Sequence, residues 1–103
     1  MAERKDQTDG AVKERTDIKK QDPTLYKVVL LNDDYTTMDF VMNVLESIFE
    51  KSPSEAYQIM MHVHVHGRGI AGVYPWELAE TKVEQTTSLA RESGYPLKAV
   101  VEE

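Results

Sequence analysis

The sequence predicts a small α+β sandwich, and three observations carry that expectation. An apolar, β-branched run occupies Leu25 to Leu31. Two apolar stripes at helical period follow it with no strand signal between them. Gly67, Pro75, Gly94 and Pro96 then stand where helix and strand patterns change over. With 103 residues, the chain holds one small domain and is too short for two.

Each element has its own justification. Residues 1–22 carry few apolar side chains, and their six acids cancel six bases. Such a segment cannot bury enough surface to offset its ordering entropy. It is expected to be a flexible N-terminal extension to a domain at 23–103. Leu25-Tyr26-Lys27-Val28-Val29-Leu30-Leu31 reads as a buried strand. A first helix is expected to open with Thr36 as N-cap and Asp39 three residues later, a short-armed capping box. Phe40, Val41, Val44, Leu45, Ile48 and Phe49 give it one continuous stripe. Ser52-Pro53-Ser54-Glu55 starts a second helix: Ser52 caps, Pro53 takes the first turn and Glu55 closes the box. Ala56, Ile59, Met60 and Val63 form its apolar face, and Gly67 ends it. Gly69 to Tyr74 is a short strand with small residues where something packs closely. Pro75 begins a third helix bearing Leu78, Ala79, Val83 and Ala90 and ending at Gly94. Pro96 admits a last strand, Leu97 to Val101. The order β-α-α-β-α-β gives a small sheet with helices on one face.

Composition removes several functions. There is no cysteine, hence no disulfide scaffold, thiol nucleophile or thiolate metal site. Residues 23–103 hold twelve acids against six bases, so the net charge of −6 lies entirely on the domain. A body of that sign repels phosphates, so no nucleic-acid partner is expected. No apolar run approaches the roughly 18–20 residues that span a bilayer, so no membrane is expected either. The opening MAERKDQTDG lacks the apolar core of a secretion signal, and a cytoplasmic location is expected.

Two clusters hold chemical potential. His62, His64 and His66 would share a face on a strand and form a plausible metal site. On a helix, His62 pairs with His66, while His64 points roughly 160–200° away, on the face of Met60. The capped pattern upstream favours helix. A metal-binding module or metallohydrolase built on these histidines is the alternative function. The second cluster is the polar knot Asn32-Asp33-Asp34. By itself it favours a strand exit using Asx-type turn geometry, with a set of acceptors for a cation as the functional alternative. A primary ammonium has three donors and suits converging acceptors. Met38 and Val41 approaching Met60 would put an apolar hole beside them, the complement of a peptide's N-terminal residue. Nothing matches a nucleophile elbow or a phosphate-binding glycine loop.

The segments YKVVLLNDDYTTMDFV, IMMHVHVHG and GVYPWELAETKV resemble the ClpS family of Clp protease adaptors, from about Tyr26 to the C-terminus. The resemblance implies a three-stranded antiparallel sheet packed against three helices, with no catalysis and no cofactor. It implies a pocket for N-degrons, substrates whose first residue is Phe, Leu, Tyr or Trp. By matching position, Asn32, Asp34 and His64 bind the α-amine, and Asp33 and Thr36 shape the loop. Met38, Val41, Met60 and Leu97 form the apolar wall, with Met38 as gatekeeper. Glu77 and Lys82 correspond to the surface that docks on the N-terminal domain of a ClpA-type AAA+ unfoldase. The extension corresponds to the segment used in substrate handover. The family commonly has Pro where Thr37 stands and Glu where Asp39 stands. Without the preset φ of proline, the loop is expected to be slightly looser.

Overall fold

Val28, Val29 and Leu30 are buried almost completely, and the chain is organised around them. In the computed structural model, which describes residues 24–103, they lie in the central strand of a three-stranded sheet. β1 (Leu25–Leu31) is flanked by β2 (Arg68–Pro75) and β3 (Lys98–Glu102), both antiparallel to it, in the order β2-β1-β3. Three helices complete the expected order: α1 (Met38–Ser47), α2 (Pro53–His66) and α3 (Trp76–Ser93). The extension at 1–22, and with it the domain boundary, lies outside the described residues.

One sheet face is the core. Val28 and Leu30 from β1, Ala71 and Ala99 from the flanking strands, and the apolar stripes of α1 and α2 form a single cluster. Every residue of the stripe expected for α1 is buried, from Phe40 to Phe49. The opposite face is covered only in part: Val29 is buried there, whereas Ile70 and Val73 remain about half exposed. A bulge between Val28 and Val29 admits Ala71 as an extra residue of β2. The small residues of β2 do meet close neighbours. A Cβ on Gly69 or Gly72 would come closer than 3.0 Å to the Val63 side chain or to the Tyr74 ring.

The helix ends follow the sequence with one correction. Ser52 Oγ accepts from the Glu55 N–H at 3.2 Å, and Glu55 Oε1 accepts from the Ser52 N–H at 3.2 Å, a complete capping box. Gly67 and Gly94 close α2 and α3 in left-handed conformation, at φ 88° and 83°. The N-cap of α1, however, is Thr37 and not Thr36: its hydroxyl accepts from the Phe40 N–H at 3.1 Å. The cause is competition, because Asp33 claims both the N–H and the hydroxyl of Thr36. With the cap displaced by one residue, Asp39 stands inside the first turn and closes no box, though it still faces the positive helix end. Thr37 thus supplies a cap that proline at this position has no hydroxyl to make. In α3, Leu78 is 44% exposed instead of facing the core. The helix meets the domain through Ala79, Thr86 and Ala90, and Leu78, one position from Ala79, is turned about 100° aside.

Candidate functional site

The polar knot is fixed from both sides. Its first residue continues β1, and the Asn32 N–H donates to the Gly67 carbonyl at 2.9 Å. That bond ties the exit of β1 to the C-terminal cap of α2, one turn beyond His64. From the other side, Asp33 folds the loop onto itself. Its Oδ1 accepts from the backbone N–H groups of Tyr35 and Thr36 at 2.8 and 2.7 Å, and its Oδ2 accepts from the Thr36 hydroxyl at 2.7 Å. Partial burial pushes the Asp33 carboxyl up, but the bonds from Thr36 and Tyr35 outweigh it and hold it below its ordinary value of 3.8.

This arrangement leaves a recess of about 240 Å³ between the loop, α1 and α2. Its lining has two characters. Asn32, Asp33, Asp34, Thr36 and His64 form a polar rim, and Met38, Val41, Met60 and Val63 form an apolar wall. Val41, Met60 and Val63 are buried, whereas Met38 is 44% exposed and stands at the mouth. Asp33 directs its oxygens into its own loop. Among the described residues, the side chains of Asn32 and Asp34 enter no hydrogen bond of that kind, so their oxygens remain acceptors for a guest. The volume lies below that of sites for drug-sized ligands, and suits one side chain.

Eight of the nine positions expected in the pocket and its loop converge on this recess. The ninth, Leu97, does not line the recess; it is buried in the same core cluster as Val41, Met60 and Val63 and lines a separate depression beside Tyr95 and Ala99. It directly precedes β3, which flanks β1 on the edge away from β2. Its neighbours Pro96 and Lys98 instead line a second depression, shared with Asn32, Asp33, Asp34 and Tyr35. Val63 is a wall residue that the sequence reading assigned only to the helix core. Its i+3 spacing from Met60 was the available signal. The three histidines lie on a helix and do not converge. Among the described residues no group of three or more His, Asp or Glu side chains is placed to hold a metal.

Glu77 lies exposed in the first turn of α3, between Trp76 and Leu78, which are 47% and 44% exposed. Lys82 is less free. Its Nζ donates to the Ile48 carbonyl at the end of α1 at 2.5 Å and stands 5.8 Å from the centre of the Tyr74 ring.

By fold and site, this is a small α+β protein whose recess sets a rim of polar acceptors beside an apolar wall. Residues 21–100 match the family described as ATP-dependent Clp protease adaptor protein ClpS. An ATP-dependent Clp protease adapter protein ClpS of Paraburkholderia xenovorans is 49% identical over 98 residues, covering 95% of this chain and 94% of that protein. Its counterpart in Wolinella succinogenes is 52% identical over 92 residues, covering 85% and 90%. Among solved structures, Agrobacterium tumefaciens ClpS2 bound to L-phenylalaninamide superposes with a TM-score of 0.76 at 42% identity, covering 79% of this chain and 98% of that one. The chain belongs to the ClpS family of Clp protease adaptors, which are not enzymes. Among the described residues, no helix is long and apolar enough to cross a membrane.

Proposed function

We propose that this adaptor binds the free α-amine and first side chain of N-degron substrates in the recess and presents them to a ClpA-type AAA+ unfoldase. The observation that carries the reading is the juxtaposition of unengaged acceptors with an apolar hole. Asn32, Asp34 and His64 accept from the ammonium, and Val41, Met60 and Val63 enclose a Phe, Leu, Tyr or Trp side chain. Met38 at the mouth makes β-branched side chains unfavourable. The ligand of the Agrobacterium protein, an amino-acid amide with a free amine and an aromatic side chain, has the matching chemistry.

The magnitudes are adequate. Burying a Phe-sized side chain contributes about 1.5–3 kcal/mol, and each hydrogen bond to an ammonium about 1.5–3 kcal/mol. One buried side chain and three such bonds total about 6–12 kcal/mol, and after an association cost of about 4 kcal/mol or more the net reaches at most roughly −8 kcal/mol, so binding is micromolar at its tightest. An internal Phe offers one uncharged donor instead of three, so buried acceptors stay unpaired at about 1–3 kcal/mol. Glu77, with Trp76 and Leu78 beside it, and Lys82 supply the surface for the unfoldase's N-terminal domain.

Fluorescence anisotropy with peptides beginning in Phe, Leu, Ile, Gly and N-acetyl-Phe tests the recess. Phe and Leu bind, Ile binds weakly, and Gly and the acetylated peptide do not. Asp34→Ala abolishes Phe-peptide binding in a protein that remains folded. Equal binding of Phe and N-acetyl-Phe peptides would sink the amine site.

A further inference from the structure

The chain has three histidines, all within five residues of α2. The recess uses one, His64. The other two are on the opposite side of the helix, both exposed. His62 and His66, four residues apart, lie one above the other with ring centroids 4.3 Å apart and planes inclined at 36°.

We propose that His62 and His66 form a two-nitrogen clamp for a late divalent transition cation of the nickel(II) or copper(II) type. The ring separation points to it. A metal–imidazole bond is about 2.0–2.1 Å and the ring centre lies roughly 1.1 Å behind the nitrogen, so each centroid stands about 3.2 Å from the ion. Two such ligands at a right angle have centroids about 4.5 Å apart, and at a tetrahedral angle about 5.2 Å apart. The observed 4.3 Å matches the right-angle arrangement of square-planar and octahedral ions, with solvent in the remaining positions. Histidines at i and i+4 are also the spacing by which helical metal motifs supply two ligands from one face.

The surroundings favour a cation. The clamp sits on the last turn of α2, where unpaired carbonyls give the helix end partial negative charge. That turn is already held: the Gly67 N–H donates to the Val63 carbonyl at 2.9 Å. The ligands therefore need little further ordering. His62 shares a groove with Lys27 and Arg68, but Arg68 is ion-paired with Glu102, so that among the described residues of the groove Lys27 is the opposing charge. Two protein ligands make a surface clamp and not a buried structural centre. The clamp is independent of the peptide site, because His64 faces the other way.

Calorimetric titration of the full chain with nickel chloride near neutral pH tests the proposal. One equivalent binds the wild type. His62→Gln and His66→Gln each weaken binding at least about tenfold, while His64→Gln leaves it in place. Nickel raises the thermal midpoint of the wild type, because the ion binds the folded helix better than the unfolded chain, and it does not raise that of either clamp variant. Absence of binding by the wild type, undiminished binding in both clamp variants, or an equal loss in His64→Gln each overturns it. All three positions are exposed, and circular dichroism verifies that the variants fold.

Discussion

Asp33 shows how one side chain sets both the site and its tolerance of acid. Three hydrogen bonds converge on its carboxylate, and its folded-state pKa lies below the ordinary value of 3.8. The native state therefore takes up this proton less readily than the unfolded chain. The stabilisation is fully present above the unfolded value and is lost as pH falls through the lower folded value. Asp33→Asn is expected to lower stability by about 1–2 kcal/mol at neutral pH, the loss of charge-assisted bonds at a half-buried site. Its deficit should shrink below about pH 4, where the unfolded wild-type chain takes up the proton that the folded carboxylate still resists, and vanish once pH falls past the lower folded value. Urea denaturation of both proteins across that range measures it, and a deficit that stays constant into acid would show that the charge is irrelevant. Residue by residue, the knot was legible as acceptors beside an apolar wall. Which threonine caps α1 was not, because Thr36 and Thr37 are chemically alike and only the pull of Asp33 on Thr36 separates them.

Between elements, the least regular contacts join α1, β2 and α3. Glu50, just past α1, has φ 57°, a left-handed conformation that costs an L-residue about 1–2 kcal/mol. Glycine adopts it without that cost but loses more entropy on folding. Glu50→Gly should thus raise stability by about 0.5–1 kcal/mol in thermal or urea unfolding. A destabilised variant would mean that the Glu50 side chain contributes more than its backbone costs. Gly72 presents the opposite case. The Tyr74 ring lies across it, and the same ring is 6.4 Å from Phe49 and beneath Lys82. Gly72→Ala forces the ring away and is expected to cost about 1–3 kcal/mol. Introducing the change into a Tyr74→Ala background should remove most of that cost, and an undiminished cost would place the strain in the backbone instead. The sequence announced close approach at β2 through its small residues, but not what approaches. Periodicity and capping located the elements because those signals are local. The bulge at Ala71 and the outward turn of Leu78 depend on neighbours distant in sequence.

At the scale of the molecule, charge distribution becomes a specificity argument. The domain carries twelve acids and six bases, and two of the acids, Asp33 and Asp34, stand at the recess. The same two residues, with Asn32 and Tyr35, also line the second depression, which has Lys98 as its one cation. On the proposed binding mode, a peptide whose first residue fills the recess must leave past this rim, so its second and third side chains enter a predominantly negative field. Two unit charges about 10 Å apart in water interact by about 0.4 kcal/mol, and several acids act together. A Phe peptide with Lys at position two should thus bind about three- to tenfold more tightly than one with Glu there. The comparison also has a diagnostic salt response. The Debye length is about 10 Å at 0.1 M salt and 3 Å at 1 M, so the preference should collapse at high salt while the affinity of an uncharged Phe peptide, held by the recess itself, changes little. Anisotropy titrations of the Lys, Glu and Ala peptides at both salt concentrations measure this directly. Equal affinities at low salt would mean that Lys98 neutralises the rim, and that the chain selects its cargo by the first residue alone.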